Sequence, residues 1–289
     1  MKKLPFLTIT VLLVALLALP TFAQEEMPEF LEHSECEVDL TGETITITHF
    51  GDISGPFAFI TQPLLAGLAD ASAYFNERGG ICGAEIAQDN RDTAGDLEQT
   101  QAHYDFYSGG GADMLVLYAS ADAELLRNQL AEDEIPVLIS AGSVEGLYGE
   151  TGDEPGWIFA TNPLYVDQLG SFCEFVAADP DTFPDPVIGY ISWPGAFGQA
   201  AFTPETMEYC GSLGVEILDT PEIFLPTATD ITTNVQNLVD AGATILYNNA
   251  LASGPALIAK TVVDLGIEDE VTLAGVNWSL DTSVGLLSR

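Results

Sequence analysis

The sequence predicts an α/β protein of two lobes, each built on a parallel sheet. Three observations carry this. Strand-like and helix-like segments alternate from Glu43 onward. The strand segments are short apolar or β-branched runs, as expected of strands covered on both faces. The segments fall into two series, with the changeover at Asn162-Pro163. Repeated strand–helix–strand units favour parallel pairing, because the intervening helix carries the chain back across the sheet.

The elements follow in order. Thr44–Phe50 is a β-branched run and a first strand. Pro63–Arg78 places Leu64, Leu65, Leu68, Ala71 and Phe75 at helical spacing and stops at Gly79-Gly80. Glu85–Gln88 is a short strand. Asp96–Ser108 is a helix opened by an acidic cap and closed by glycines. Met114–Tyr118, Ala121–Glu132 and Pro136–Ile139 read as strand, helix and strand. Trp157–Thr161 reads as a crossing strand.

The second series repeats the pattern. Val166–Ala178 is a helix, followed by a break at Pro180, Pro184 and Pro186. Val187–Ser192 is a strand and Ala200–Leu213 a helix with Pro204 near its start. Glu216–Phe224 is a strand and Ile231–Ala241 a helix. Thr244–Tyr247, Gly254–Leu265 and Val271–Val276 complete a strand, a helix and a strand. The first lobe is thus expected over residues 43–162 and the second over 163–289.

The start of the chain stands apart. Lys2 and Lys3 precede a mostly apolar run over Leu4–Leu19, and Thr21-Phe22-Ala23 presents small residues at the positions a signal peptidase reads. Residues 1–23 are read as a secretory signal cleaved after Ala23. Residues 24–42 form an acidic leader. The expected location is periplasmic or extracellular.

Composition narrows the function. The chain of 289 residues has 44 Asp and Glu against 7 Lys and Arg, a formal net charge of −37. A polyanion would be repelled along its length, so nucleic acid is not an expected partner. Apolar residues make up 47 %, enough for a core, which excludes intrinsic disorder. Three histidines, His33, His49 and His103, give little material for a metal site or a Ser-His-Asp triad. The sequence lacks a G-x-G-x-x-G after the first strand, a Walker A loop, a G-x-S-x-G elbow and an H-E-x-x-H. Catalytic residues, a cofactor and a metal are therefore not expected.

An exported chain meets an oxidising compartment. The four cysteines allow three pairings. Cys36 precedes the first strand and Cys82 the second, so both belong near one edge of the sheet. Cys173 and Cys210 lie on the helices flanking the Val187–Ser192 strand. The expected disulfides are Cys36–Cys82 and Cys173–Cys210.

In open parallel sheets, ligands bind outside the carboxyl ends of the strands. Those ends carry Ser54 in Gly51–Pro56, then Ser120, Ala121 and Asp122, then Ala141, Gly142 and Ser143. In the second series they carry Trp193 and Phe197, then Asn249, then Asn277. Small hydroxyl residues and glycines at helix N-termini suit an anionic group, through free backbone N–H groups and the helix dipole. The same residue types also serve as ordinary caps.

A resemblance becomes specific at the first strand and its helix. Gly51-Asp52-Ile53-Ser54-Gly55-Pro56, then Asn76-Glu77-Arg78-Gly79-Gly80-Ile81-Cys82-Gly83, then Asp89-Asn90-Arg91-Asp92, resembles the leucine-binding-protein family. These are type I periplasmic binding proteins that serve ABC importers. Asp230–Leu238, with its Asp-x-x-Thr-x-Val-x-x-Leu pattern, fits the same order. The resemblance implies two Rossmann-like lobes joined by a hinge, with a small-molecule ligand in the cleft and a membrane permease as partner. It implies an amino-acid-like solute, a branched-chain amino acid, amide or relative, and no enzymatic turnover. The alternative is a ligand-sensing receptor of the same fold.

The resemblance also assigns positions. Its carboxylate-holding loops correspond to Ser120-Ala121-Asp122 and Ala141-Gly142-Ser143. Phe197 matches a cleft aromatic, and Leu251 falls near a position that is Tyr in leucine-binding members. An acid that holds the ligand ammonium belongs near Asn277, where this chain has Asn. Either Asp122 or Asp281 supplies that charge, or the ligand is not an ordinary α-amino acid. Family chains cross back to the first lobe after this point, so a returning segment is expected beyond Arg289.

Overall fold

The computed structural model describes residues 36–109, 112–140 and 142–287. The expected signal segment, most of the leader, and Ala141 lie outside them. Two five-stranded sheets, all of whose strand pairs are parallel, form the two halves of the molecule.

The first half runs β1 (Thr44–Gly51), α1 (Ala58–Asn76), β2 (Glu85–Asp92), α2 (Leu97–Tyr107), β3 (Met114–Leu117), α3 (Ser120–Glu132), β4 (Val137–Ile139), α4 (Val144–Tyr148) and β5 (Ile158–Ala160). Its sheet order is β2-β1-β3-β4-β5. Phe50, Leu115, Leu117, Val137, Ile139 and Ile158 point to one face and pack on Tyr104, Leu126 and Leu130 of α2 and α3. A core forms there because alternate residues of each strand share a face.

The chain then crosses through Thr161–Leu164 to α5 (Tyr165–Ala178), β6 (Val187–Ser192), α6 (Gly195–Gln199), α7 (Pro204–Ser212), β7 (Glu216–Ile217), β8 (Glu222–Ile223), α8 (Thr232–Asp240), β9 (Ile245–Asn249), α9 (Ser253–Leu265), β10 (Thr272–Gly275) and α10 (Thr282–Leu287). The second sheet has the order β10-β9-β6-β7, with β8 also paired to β6. Its two faces bury separate cores. Ile188, Tyr190 and Tyr247 pack on Leu169 and Cys173. Ile191 and Leu246 pack on Val235, Leu238, Ile258 and Val262.

Both expected disulfides are present. Cys36–Cys82 and Cys173–Cys210 each join Cα atoms 5.5 Å apart, the ordinary span of such a bond.

Several boundaries differ from the sequence reading. The first helix begins at Ala58 and includes Pro63 in its second turn, where one backbone donor is lost without ending the helix. The second strand runs on to Asp92, because it pairs in register with all of β1, Thr44 to Glu85 through Gly51 to Asp92. The expected strand Glu216–Phe224 is two short ones, interrupted at Leu218–Pro221, and both pair with β6. The expected helix Ala200–Leu213 begins at Pro204, where the Thr203 side chain accepts from the Thr206 N–H and Pro occupies the first turn. Among the described residues, no helix is long and apolar enough to cross a membrane.

Candidate functional site

The two sheets wind alike. In each, strand order reverses beside the first strand of the series: between β1 and β3, and between β6 and β9. Such a reversal leaves a crevice at the carboxyl ends, because the connections diverge to opposite faces. The two crevices face each other and enclose a cavity of about 310 Å³. The first half contributes Gly51, Asp52, Phe57 and Tyr118–Asp122; the second contributes Tyr165, Trp193–Phe197, Leu251 and Trp278.

On the first side, α3 starts from Ala119 without a side-chain cap, so its opening N–H groups are left to the cavity. Ser120 and Asp122 are buried, 2 % and 5 % exposed. The Thr100 hydroxyl donates to Asp122 Oδ1 at 2.8 Å. Burial pushes the Asp122 carboxyl up to about 6; the Thr100 bond pulls the other way, and the charge of Asp52 adds to the rise. Asp52 is held by its own loop, accepting from Gly55 N and, at 2.8 Å, from Phe57 N.

On the second side, Trp193 follows β6 and is 2 % exposed. Gly198 lets α6 fold back on it: a Cβ there would lie 1.8 Å from the Trp193 carbonyl oxygen. Phe197 meets Tyr165 edge-on, ring centroids 5.3 Å apart. The Trp278 indole donates to the Tyr165 hydroxyl at 3.2 Å. That hydroxyl also bonds to Ser120, so Tyr165 ties the two sides together. Burial pushes the phenol up to about 12. Phe57 and Trp193 meet across the cleft, centroids 5.9 Å apart.

Of the residues singled out in the sequence, Ser120, Ala121, Asp122, Trp193, Phe197 and Leu251 line this cavity. The others stand elsewhere. Ser54 is exposed and donates to Asp92 Oδ2, which braces the loop after β1. Asn249 is buried and donates to the Phe197 carbonyl at 2.8 Å, which fixes α6 from behind. Ser143 caps α4 and donates to Glu124, beside a neighbouring cavity. Gly142 packs near Leu147. Asn277 is exposed, and its backbone N–H donates to Gln168. Ala141 lies outside the described residues.

Asp52, Phe57, Tyr118, Tyr165 and Trp278 were not singled out. Asp52 and Trp278 sit within strand-end loops that the sequence marks, two residues from Ser54 and next to Asn277. Tyr165 carries no local signal, because its role depends on where α5 crosses. Among the described residues, no group of His, Cys, Asp and Glu is placed to hold a metal.

Residues 44–284 match the sequence model of the periplasmic binding protein family. No match is found among curated proteins. Solved structures share the fold at low identity. A branched-chain amino acid ABC transporter protein from Thermus thermophilus with bound valine is 20 % identical, with a TM-score of 0.74, over 86 % of this chain and 63 % of that one. A fatty acid ABC transporter substrate-binding protein from Thermomonospora curvata is 18 % identical, TM-score 0.72, over 86 % and 61 %. An extracellular ligand-binding receptor from Rhodopseudomonas palustris HaA2 is 16 % identical, TM-score 0.63, over 81 % and 61 %. The chain spans less than two thirds of the length of these proteins.

Proposed function

Because the chain belongs to the periplasmic binding protein family, we propose that it is the extracytoplasmic solute-binding protein of an ABC importer. It captures a small polar solute between its two lobes and presents the closed form to a membrane permease. The observation that carries this reading is the cavity built from both facing crevices, with aromatic rings from both halves and a buried carboxylate on the first. Such a cavity suits a ligand with one polar end and one apolar end.

Each lobe is a rigid sheet with its own core, and the described crossing between them is the short segment Thr161–Leu164. Closure about such a segment needs few dihedral changes. Solute contacts made with both lobes at once favour the closed form. Two disulfides suit an oxidising compartment. The reading involves binding and release without turnover.

The test is a thermal-shift screen of the purified protein against amino acids, amides, amines, urea and aromatic acids. A solute that binds only the folded state raises the midpoint by an amount set by its concentration over Kd. A selective rise with one solute class is expected. A folded protein that responds to no small solute would contradict the reading. A receptor of the same fold would pass this screen, and is told apart by failing to stimulate a cognate permease in reconstituted vesicles.

A further inference from the structure

The charges in the cavity lining are one-sided. Among the described residues, Asp52 and Asp122 are the charged ones in its lining, which contains no Lys, Arg or His. Asp122 Oδ1 takes the Thr100 hydroxyl, while its other oxygen has no hydrogen bond among the described residues. Around these two carboxylates stand six aromatic rings: Phe57, Tyr118, Tyr165, Trp193, Phe197 and Trp278. Resting on the solute-binding reading above, we propose that the cargo is a compact organic ammonium cation with no carboxylate of its own.

Three comparisons lead there. A solute carboxylate would enter a cavity that already holds two, with no cationic side chain to meet it. The start of α3 offers backbone N–H groups, but Asp122 stands in that helix's first turn and already faces its positive end. A neutral solute would displace water from Asp122 and leave a buried charge without a partner, which is costly. An ammonium centre pairs with Asp122, relieves its repulsion by Asp52, and lies among ring faces that attract cations. The net charge of −37 adds long-range attraction for a cation and repulsion for an anion. The volume of about 310 Å³ admits a small molecule, with the alkyl substituents of the ammonium against the rings.

The experiment is calorimetric titration of the purified full chain at about pH 8, where Asp122 is ionised. The probes share one shape and differ in fixed charge: choline is a cation, glycine betaine a zwitterion, and 3,3-dimethylbutan-1-ol the uncharged isostere of choline. Choline is expected to bind at least about tenfold more tightly than either of the others. Asp122→Asn is expected to remove most of that preference. Betaine binding as tightly as choline would overturn the proposal, because a carboxylate would then be tolerated. Equal binding of the neutral isostere would overturn it, because charge would not be read. If choline fails while valine binds, the cation assignment fails and the solute-binding reading stands. If no solute of the wider screen binds, both fail.

Discussion

Thr100 on α2 and Asp122 on α3, 22 residues apart, share a buried hydrogen bond of 2.8 Å at the edge of the interlobe cavity. The bond fixes one carboxylate oxygen and leaves the other toward the site. A carboxylate so buried costs stability in the empty protein, and that cost has a measurable pH signature.

The Asp122 carboxyl is raised from 3.8 to about 6 in the folded state. The folded protein therefore holds this proton more tightly than the unfolded chain does. The stabilisation is full below about pH 4 and is lost as pH rises through about 6. Asp122→Asn should raise the melting temperature of the empty protein at about pH 8, by the equivalent of roughly 2–3 kcal/mol. The gain should shrink toward about pH 4. Calorimetric melting at the two pH values checks this; a variant less stable than the parent at the higher pH would contradict it. A substitution that stabilises the fold while weakening solute binding marks a residue placed for the ligand.

Thr100→Val removes Asp122's hydrogen-bond partner and leaves the shape almost unchanged. A hydrogen bond to a charged group contributes about 1.5–3 kcal/mol. The expected loss of stability is larger at about pH 8 than at about pH 5, because the bond to the ionised carboxylate is the stronger one. Equal losses at both values would show that Asp122 is not ionised in the empty protein.

His49 on β1 is fully buried, both ring nitrogens lack hydrogen-bond partners, and its ring lies 4.8 Å from that of Tyr118. Burial lowers its pKa from 6.5 to about 4. The unfolded chain then binds this proton first, so stability falls as pH drops from about 6.5 toward 4. The contribution is about 3 kcal/mol. His49→Leu should flatten this part of the acid limb in pH-dependent denaturant melts. An unchanged acid limb would mean that the imidazole is solvated.

The Cys173–Cys210 bond links α5 to α7 across a separation of 37 residues. Loop-closure entropy gives it roughly 4 kcal/mol of stabilisation. Cys173→Ala with Cys210→Ala should lower the urea midpoint accordingly. An unchanged midpoint would show that the pair is not oxidised in the parent protein.

Phe57 and Trp193 come from opposite lobes and meet at 5.9 Å. Such pairs contribute about 0.5–1.5 kcal/mol beyond their buried area. Phe57→Ala should shift the empty protein toward an open form, read as a larger radius of gyration by small-angle scattering. A saturating solute should reverse the shift. An unchanged radius in the empty variant would show that this pair does not bias closure.

The strand–helix alternation was legible because each element carries its own period. Ile188, Tyr190 and Tyr247 show it, and so do the helical apolar positions of α5 and α9. The cysteine pairs were legible because strand placement put their partners at one edge or on neighbouring helices. The split of β7 from β8 was not: β-branched and apolar residues continue on both sides of Pro221, and only pairing with β6 shows the break. At the site, the loops were legible from the rule that ligands sit at strand carboxyl ends. Which residue of each loop faces inward was not. Asn277 and Trp278 are adjacent, and the backbone N–H of Asn277 is held outward by Gln168 while Trp278 turns to Tyr165. Ser54 and Asn249 carry suitable chemistry but spend it on Asp92 and the Phe197 carbonyl.

The central claim is that a small solute is held between the lobes against Trp193 and Trp278. Of the three tryptophans in the chain, these two line the cavity, while Trp157 precedes β5 outside it. The direct measurement is tryptophan fluorescence during titration with the strongest solute of the thermal-shift screen. The account predicts a saturable change that survives Trp157→Phe and disappears in the Trp193→Phe, Trp278→Phe double variant. A change that persists in the double variant, or disappears with Trp157→Phe, would place the ligand elsewhere and contradict the account.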